Sequence, residues 1–378
     1  MMYDALVIGA GPAGSTAARL LAEAGWSVAL VEKGVFPRRK VCGEFISATS
    51  LPLLDNARIG AGFRAQAGPD IRRVALFAGE VTQSAAMPQV QGGAGGWGRA
   101  LGREHLDVLL RDAAVRAGAA LFQPYKLVGL QRVDGAYLAL LDSDGRGQEM
   151  TARIVVAANG SWERGPASFP ARPHRASDLL AFKAHFHGGD LPKDLMPLLM
   201  FPGGYGGLAT SDGGRVSLSC CIRRDVLARC RRQYPALSAG LAVLAHIRRH
   251  CAGVEDALDR AELAGAFLSA GPIRPGVRAA HQAGLFRVGN AAGEAHPIIA
   301  EGISMAMQSS WLLCRRLIAE QTSVLAGADT GALGDAYARD WKGQFALRLQ
   351  AAEVLARMAM QPVGAALLKR AAALLVEV

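Results

Sequence analysis

The stretch that decides the fold is Tyr3-Asp4-Ala5-Leu6-Val7-Ile8, followed at once by Gly9-Ala10-Gly11-Pro12-Ala13-Gly14. The first six residues are a short, β-rich apolar run, suited to a buried parallel strand. Residues 15–24 carry a helical pattern, Gly25 stands where a helix C-cap belongs, and residues 26–31 read as a second strand ending at Glu32. Strand, glycine turn, helix, strand and acid make a Rossmann unit that binds a dinucleotide. Gly9 permits the tight turn, Gly11 lets backbone approach a pyrophosphate, and Gly14 lets helix and strand pack closely. Pro12 and Ala13 open the helix, whose N-terminal amides attract phosphate. Glu32 stands where a carboxylate accepts hydrogen bonds from a ribose. Gly93-Ala94-Gly95-Gly96-Trp97-Gly98 matches the same glycine string. It follows no strand and leads into no helix or spaced acid, so it reads as a flexible loop.

Outward from that unit, the chain has 378 residues, half of them hydrophobic and a fifth charged, which predicts an ordered globule with a sizeable core. Its formal charge of +10 is spread mostly as arginine pairs. Without a long basic run or an RNA-binding signature, nucleic acid is not an expected partner. Six cysteines without a Cys-x-x-Cys pair indicate neither a disulfide scaffold nor a zinc site, and no metal is expected. The N-terminus enters the first strand without a signal-peptide pattern, and no apolar run reaches transmembrane length. A cytoplasmic protein is the expectation.

Beyond Glu32 come Lys33-Gly34-Val35-Phe36-Pro37-Arg38-Arg39-Lys40-Val41-Cys42-Gly43-Glu44. Further on stand Arg103-Glu104-His105-Leu106-Asp107, Ala157-Ala158-Asn159-Gly160, and Gly289-Asn290-Ala291-Ala292-Gly293 before His296-Pro297 and Glu301-Gly302-Ile303. In order and spacing these stretches resemble the FAD-dependent oxidoreductases of the p-hydroxybenzoate hydroxylase and geranylgeranyl reductase superfamily. The resemblance implies FAD as cofactor. It implies a segment with Lys33, Arg38, Lys40 and Cys42 passing from the adenosine end toward the flavin ring. It also implies an arginine, Arg103, close to the cofactor, with Leu127 in the same set. Arg38 or Lys40 either pairs with phosphate or belongs to a solvated basic loop. Asn159 stands where the family usually has aspartate before Gly160, which bears on NAD(P)H as electron donor. Asn290 likewise replaces an aspartate and still offers an acceptor to the ribityl chain. Gly289, Pro297, Gly302 and Ile303 complete the cofactor set, and the helix from about Gly302 to Glu320 directs its dipole at the pyrimidine end of the flavin.

The expected fold class is α/β (α+β): a Rossmann-type FAD-binding lobe of the glutathione reductase family type (GR2-like), an inserted mixed β-sheet substrate lobe, and C-terminal helices. The FAD-binding lobe takes residues 1–45, 100–165 and 280–325. The substrate lobe takes residues 46–99 and 166–279, with alternating strands near 179–187 and 216–222, a Gly-rich hairpin around Tyr205, and a helical stretch at 223–250. Residues 326–378 form the helical segment. There Leu347, Leu349, Val354, Leu355 and Met358 make an apolar face that either packs on the core or touches a membrane or partner.

Flavin enzymes leave the hard step to the cofactor, so no conspicuous triad is required. The scaffold suits a monooxygenase that hydroxylates an apolar aromatic or polyketide-like small molecule with reduced flavin and O2. The alternative is a geranylgeranyl-reductase-like reduction of a double bond, where the resemblance associates a cysteine in the place of Cys42 with the flavin. A cysteine there is otherwise a small inert hydrophobe. A non-catalytic flavin-binding protein is the alternative of another class. Flavin-dependent halogenases share the fold but carry a Trp-x-Trp-x-x-Pro stretch, and Trp162 stands alone. His296, Cys42 and Tyr205 are the candidate catalytic residues, His296 either as a proton relay or as a turn histidine bonded to backbone. His185 and His187 share one strand face, which is solvated or lines the pocket.

Overall fold

Residues 2–87, 96–161, 166 and 173–361 are described, in a computed structural model. The segment with Trp162, the residues Gly93 to Gly95 and the tail beyond Gln361 lie outside them.

The Met2–Ile8 and Val28–Val31 runs are rich in apolar and β-branched residues, and both become strands of one sheet. The strand order is His281–Gln282, Leu285–Arg287, Arg146–Ala157, Met2–Ile8, Val28–Val31, Ala120–Phe122. From Leu285–Arg287 onward every neighbour pairs parallel, with Leu6 opposite Val155 on one side and Ala29 on the other. Parallel strands are covered on both faces, which is why the first strand is buried from Ala5 onward. An antiparallel meander, Lys126–Val133 and Ala136–Ser143, leads into Arg146–Ala157. Helices Pro12–Glu23 and Gly302–Ala319 share one core with this sheet, and the Ser310 hydroxyl donates to the Ala13 carbonyl at 2.7 Å.

A second sheet runs Glu262–Leu263, Leu179–His187, Val216–Arg223, Gly204–Thr210, Leu195–Phe201, Arg73–Ala78, Val81–Ala86. It is antiparallel except where Leu195–Phe201 meets Arg73–Ala78, so the sheet is mixed. Phe182, Phe186, Leu218 and Ile222 share a core with Val243 and Ile247 of a helix packed on this sheet.

The structure adds detail to three local expectations. The helical stretch at 223–250 is two helices, Arg224–Gln233 and Ala239–His250. Pro235 cannot continue the first, and the Ser238 hydroxyl accepts the Leu241 N–H to cap the second. The C-terminal helices are, within the described residues, one helix, Gly331–Met360. Its inward stripe is Tyr337, Trp341, Phe345, Leu349, Ala352 and Ala356, so the apolar face expected around Leu347 is divided. Leu349 is buried, whereas Leu347, Val354 and Leu355 are exposed. Tyr337 donates to the Arg287 carbonyl at 2.7 Å, which ties this helix to the first sheet, and the Trp341 indole donates to Ser309 of the Gly302–Ala319 helix at 3.1 Å. Among the described residues no helix is long and apolar enough to cross a membrane.

Candidate functional site

The glycine turn is shaped by two contacts that no side chain tolerates. Gly9 has φ +104°, and a Cβ there would sit 2.7 Å from the Ala158 carbonyl oxygen. A Cβ on Gly14 would fall 1.7 Å from the Gly9 oxygen. The chain therefore turns tightly from strand to helix, and the helix opens with Gly11 as N-cap and Pro12 in its first turn, without a side-chain cap. Its first amides are left for another acceptor.

Gly9, Gly11, Pro12 and Ala13 line a cleft of about 340 Å³. Glu32 closes one side. Its Oε2 accepts the Ala10 N–H at 2.9 Å, its Oε1 accepts the Gly34 N–H at 2.8 Å, and Arg38 lies 3.1 Å from Oε2. Arg38, Lys40 and Arg103 all line the cleft. Burial, reinforced by Arg38 and Arg103, pulls Lys40 down to about 8. Burial opposes the charge of Arg103 too, but Asp107, gripped at 2.6 and 2.8 Å, outweighs it and raises the guanidinium above its ordinary range.

Cys42 lines the cleft and accepts the Glu44 N–H on its sulfur at 3.4 Å. Lys33, Leu127, Asn159, Gly160, Asn290, Pro297, Gly302 and Ile303 line it as well. Gly302 begins a helix of 18 residues without a side-chain cap, so a second set of open amides meets the same cleft. Gly14 and Gly289 stand behind the wall. A Cβ on Gly289 would lie 2.9 Å from that of Ala13.

Tyr205 is on the lining, but His296 is one layer back and only 3% exposed. The two meet at 2.6 Å between the Tyr205 hydroxyl and His296 Nδ1. Burial, with a smaller push from Arg357, lowers His296 to about 4, so its ring is neutral and Nδ1 accepts the phenolic proton. Burial and the neighbouring Cys221 hold Tyr205 well above its ordinary value. Of the two alternating histidines, His187 is exposed at its strand end while His185 is buried at 1%, so the solvated face holds for one and not the other.

Residue spacing gave no sign of several lining groups. Ala181, Met196, Leu198, Leu208 and Ile273 come from the second sheet and make an apolar wall. Glu294 also lines the cleft, with its Oε2 bonded to Arg278 at 2.9 Å. Strand alternation was the signal available for the apolar wall; for Glu294 there was none. Glu104, His105 and Asp212 come close enough to hold a cation, but Arg215 bonds both carboxylates and supplies the positive charge.

These features meet what a dinucleotide needs: uncapped helix amides, convergent cations, a buried acid, and glycines where backbone must come close. Residues 2–188 match the family model described as FAD binding domain. The chain belongs to the FAD-binding oxidoreductase superfamily. A menaquinone reductase of Mycobacterium tuberculosis is 29% identical over 158 residues, which is 42% of this chain and 38% of that protein. The chain thus spans well under half of that relative's length. A digeranylgeranylglycerophospholipid reductase of Methanopyrus kandleri is 25% identical over 97% of this chain and 89% of its own. The flavin-dependent brominase Bmp2 superposes with a TM-score of 0.80 at 21% identity, covering 96% of this chain and 88% of its own, a likeness of fold.

Proposed function

We propose that the chain is a cytoplasmic FAD-dependent monooxygenase that hydroxylates an apolar aromatic or polyketide-like small molecule, with NAD(P)H as electron donor. The observation that carries this reading is one continuous cleft, walled on one side by the glycine turn and on the other by apolar side chains of the second sheet. When bound, FAD supplies the redox chemistry. Gly9, Gly11 and the first turn of the Pro12–Glu23 helix hold its diphosphate, with Arg38, Lys40 and Arg103 adding charge. Glu32 accepts from the ribose and Asn290 from the ribityl chain. The open amides at Gly302 and Ile303 would favour negative charge on the bound flavin. The wall of Ala181, Met196, Leu198 and Leu208 orients an apolar substrate and excludes water, and Tyr205 with His296 behind it holds a proton at the phenolic oxygen.

A second reading, reduction of an isolated double bond, is favoured by Cys42 on the cleft lining and by the reductases among the relatives. The test is a visible spectrum of the purified protein, followed by NADH and NADPH added separately in air with oxygen uptake recorded. Bleaching with oxygen consumption supports the monooxygenase. A yellow protein inert to both nucleotides favours the reductase, and a colourless protein that takes up no FAD refutes both.

A further inference from the structure

Where the cleft meets the second sheet, the structure builds a buried charged cluster around Glu44. Lys183 Nζ lies 2.7 Å from Glu44 Oε2, His185 Nε2 lies 2.9 Å from it, and the Ser217 hydroxyl donates to it at 3.1 Å. Lys183 in turn bonds Ser217, and Arg39 bonds His185 Nδ1. Because Nδ1 accepts from the guanidinium, His185 carries its proton on Nε2 and donates it to Glu44. Lys183 is wholly buried and Glu44 is 1% exposed. All three donors converge on Oε2. The other oxygen, Oε1, has no hydrogen-bond partner among the described residues, although Glu44 lines the cleft.

An ionised carboxylate offers about four acceptor positions, and a buried oxygen left unbonded is costly. We propose that Glu44 Oε1 is the acceptor by which the cleft recognises a neutral hydroxyl or N–H donor on its apolar substrate, an inference that rests on the function proposed above. Glu44 is held well below the usual carboxylate range. Burial pushes it up, but Lys183 and His185 outweigh that and bring it to about 2. So weak a base binds a donor without removing its proton, which makes Glu44 a specificity residue. Lys183 is bonded to the carboxylate and Arg39 stands behind His185, and this positive charge opposes an ammonium ligand. The partners of Glu44 come from Leu179–His187 and Val216–Arg223, strands of the sheet that supplies the apolar wall, so the donor belongs to the substrate.

Phenol, its methyl ether anisole, and benzylammonium are titrated by calorimetry into FAD-loaded protein, and a phenol-soaked crystal is solved. Phenol is expected to bind about tenfold more tightly than anisole, and more tightly than benzylammonium, with its oxygen within hydrogen-bond distance of Glu44 Oε1. Glu44→Gln is expected to narrow the preference to within about threefold, since a neutral acceptor bonds less strongly. That variant leaves Lys183 without its counter-charge, so Glu44→Gln/Lys183→Met, which removes both charges, is measured beside it. No phenol binding, equal affinities for phenol and anisole, or a phenol oxygen placed elsewhere overturns the proposal. So does a preference that exists in FAD-free protein and vanishes on loading, because the flavin then supplies the donor. Flavin content is read on the same samples. Full flavin without a preference sinks recognition by Glu44 alone, whereas no FAD uptake sinks the flavin reading and this inference with it.

Discussion

The two sides of the cleft are built on opposite plans. The glycine side is made of backbone: Gly9 and Gly14 are positions where a Cβ has no room, and both oxygens of Glu32 are bonded to main-chain N–H groups. The second-sheet side is made of side chains, where Glu44 draws Lys183, His185 and Ser217 from 139 to 173 residues away in sequence. Backbone geometry comes from local sequence and fails abruptly when crowded. A side-chain cluster comes from the tertiary fold and fails when one member loses its counterpart.

The sharpest break in that comparison is Gly14→Ala. Its added methyl would meet the Gly9 oxygen at 1.7 Å, and neither backbone segment can give without opening the helix–strand contact. A loss of about 3 kcal/mol or more is expected by chemical denaturation, together with loss of bound FAD. A stable, fully yellow variant would show that this turn yields more than its geometry implies.

The matching change on the other side is Lys183→Met. It leaves the Glu44 carboxylate buried without the cation bonded directly to it, only His185 and Ser217 remaining, at an expected cost of about 3–5 kcal/mol, most of which Glu44→Gln/Lys183→Met should restore. The same pair sets an acid limit. Since Glu44 is lowered to about 2 from an ordinary 4.5, the unfolded chain takes up this proton first. The stability contributed by the Glu44 carboxylate is therefore full above about pH 4.5 and is lost as pH falls toward 2. Denaturation midpoints of the double variant should be flatter across that window.

This contrast also explains what the sequence made legible. Strand, glycine turn, helix and Glu32 lie within 30 residues, and each obeys a local rule, so the first lobe and its cofactor were readable. The mixed second sheet was readable as alternating strands, but not its order, because Arg73–Ala78 joins it through a parallel pairing with Leu195–Phe201. Glu44 passed unnoticed inside a resemblance centred on Cys42, and Lys183 looked like any polar residue on an alternating strand. Burial of His185 depends on Arg39 and Glu44 reaching it, which no spacing encodes. The same holds for His296, which precedes the Pro297–Ile299 turn but lies behind Tyr205 and off the cleft lining.

His296 gives a smaller effect and a different window. Its ring is lowered to about 4 from 6.5, so it is neutral when folded and the unfolded chain binds the proton more readily. Stability is full above about pH 6.5 and falls toward pH 4 by roughly 3 kcal/mol at most. His296→Gln should flatten the dependence of the denaturation midpoint between pH 7 and 5. A variant that keeps the wild-type slope would assign that slope to other groups.

The mildest change tests whether side-chain charge matters on the side that backbone builds. Lys40 lines the cleft at about 8, lowered by burial and by Arg38 and Arg103. An anionic diphosphate favours its charged form, so FAD affinity should decline from pH 7 to 9 as the FAD-free protein loses that proton. Lys40→Met should weaken FAD binding about tenfold at pH 7, the worth of one charge-assisted hydrogen bond. It should also remove most of the decline, as measured by flavin fluorescence titration at each pH. If affinity is unchanged in the variant, the amides of the glycine turn with Arg38 and Arg103 suffice for the diphosphate, and that side of the cleft is a backbone site with dispensable charge at Lys40.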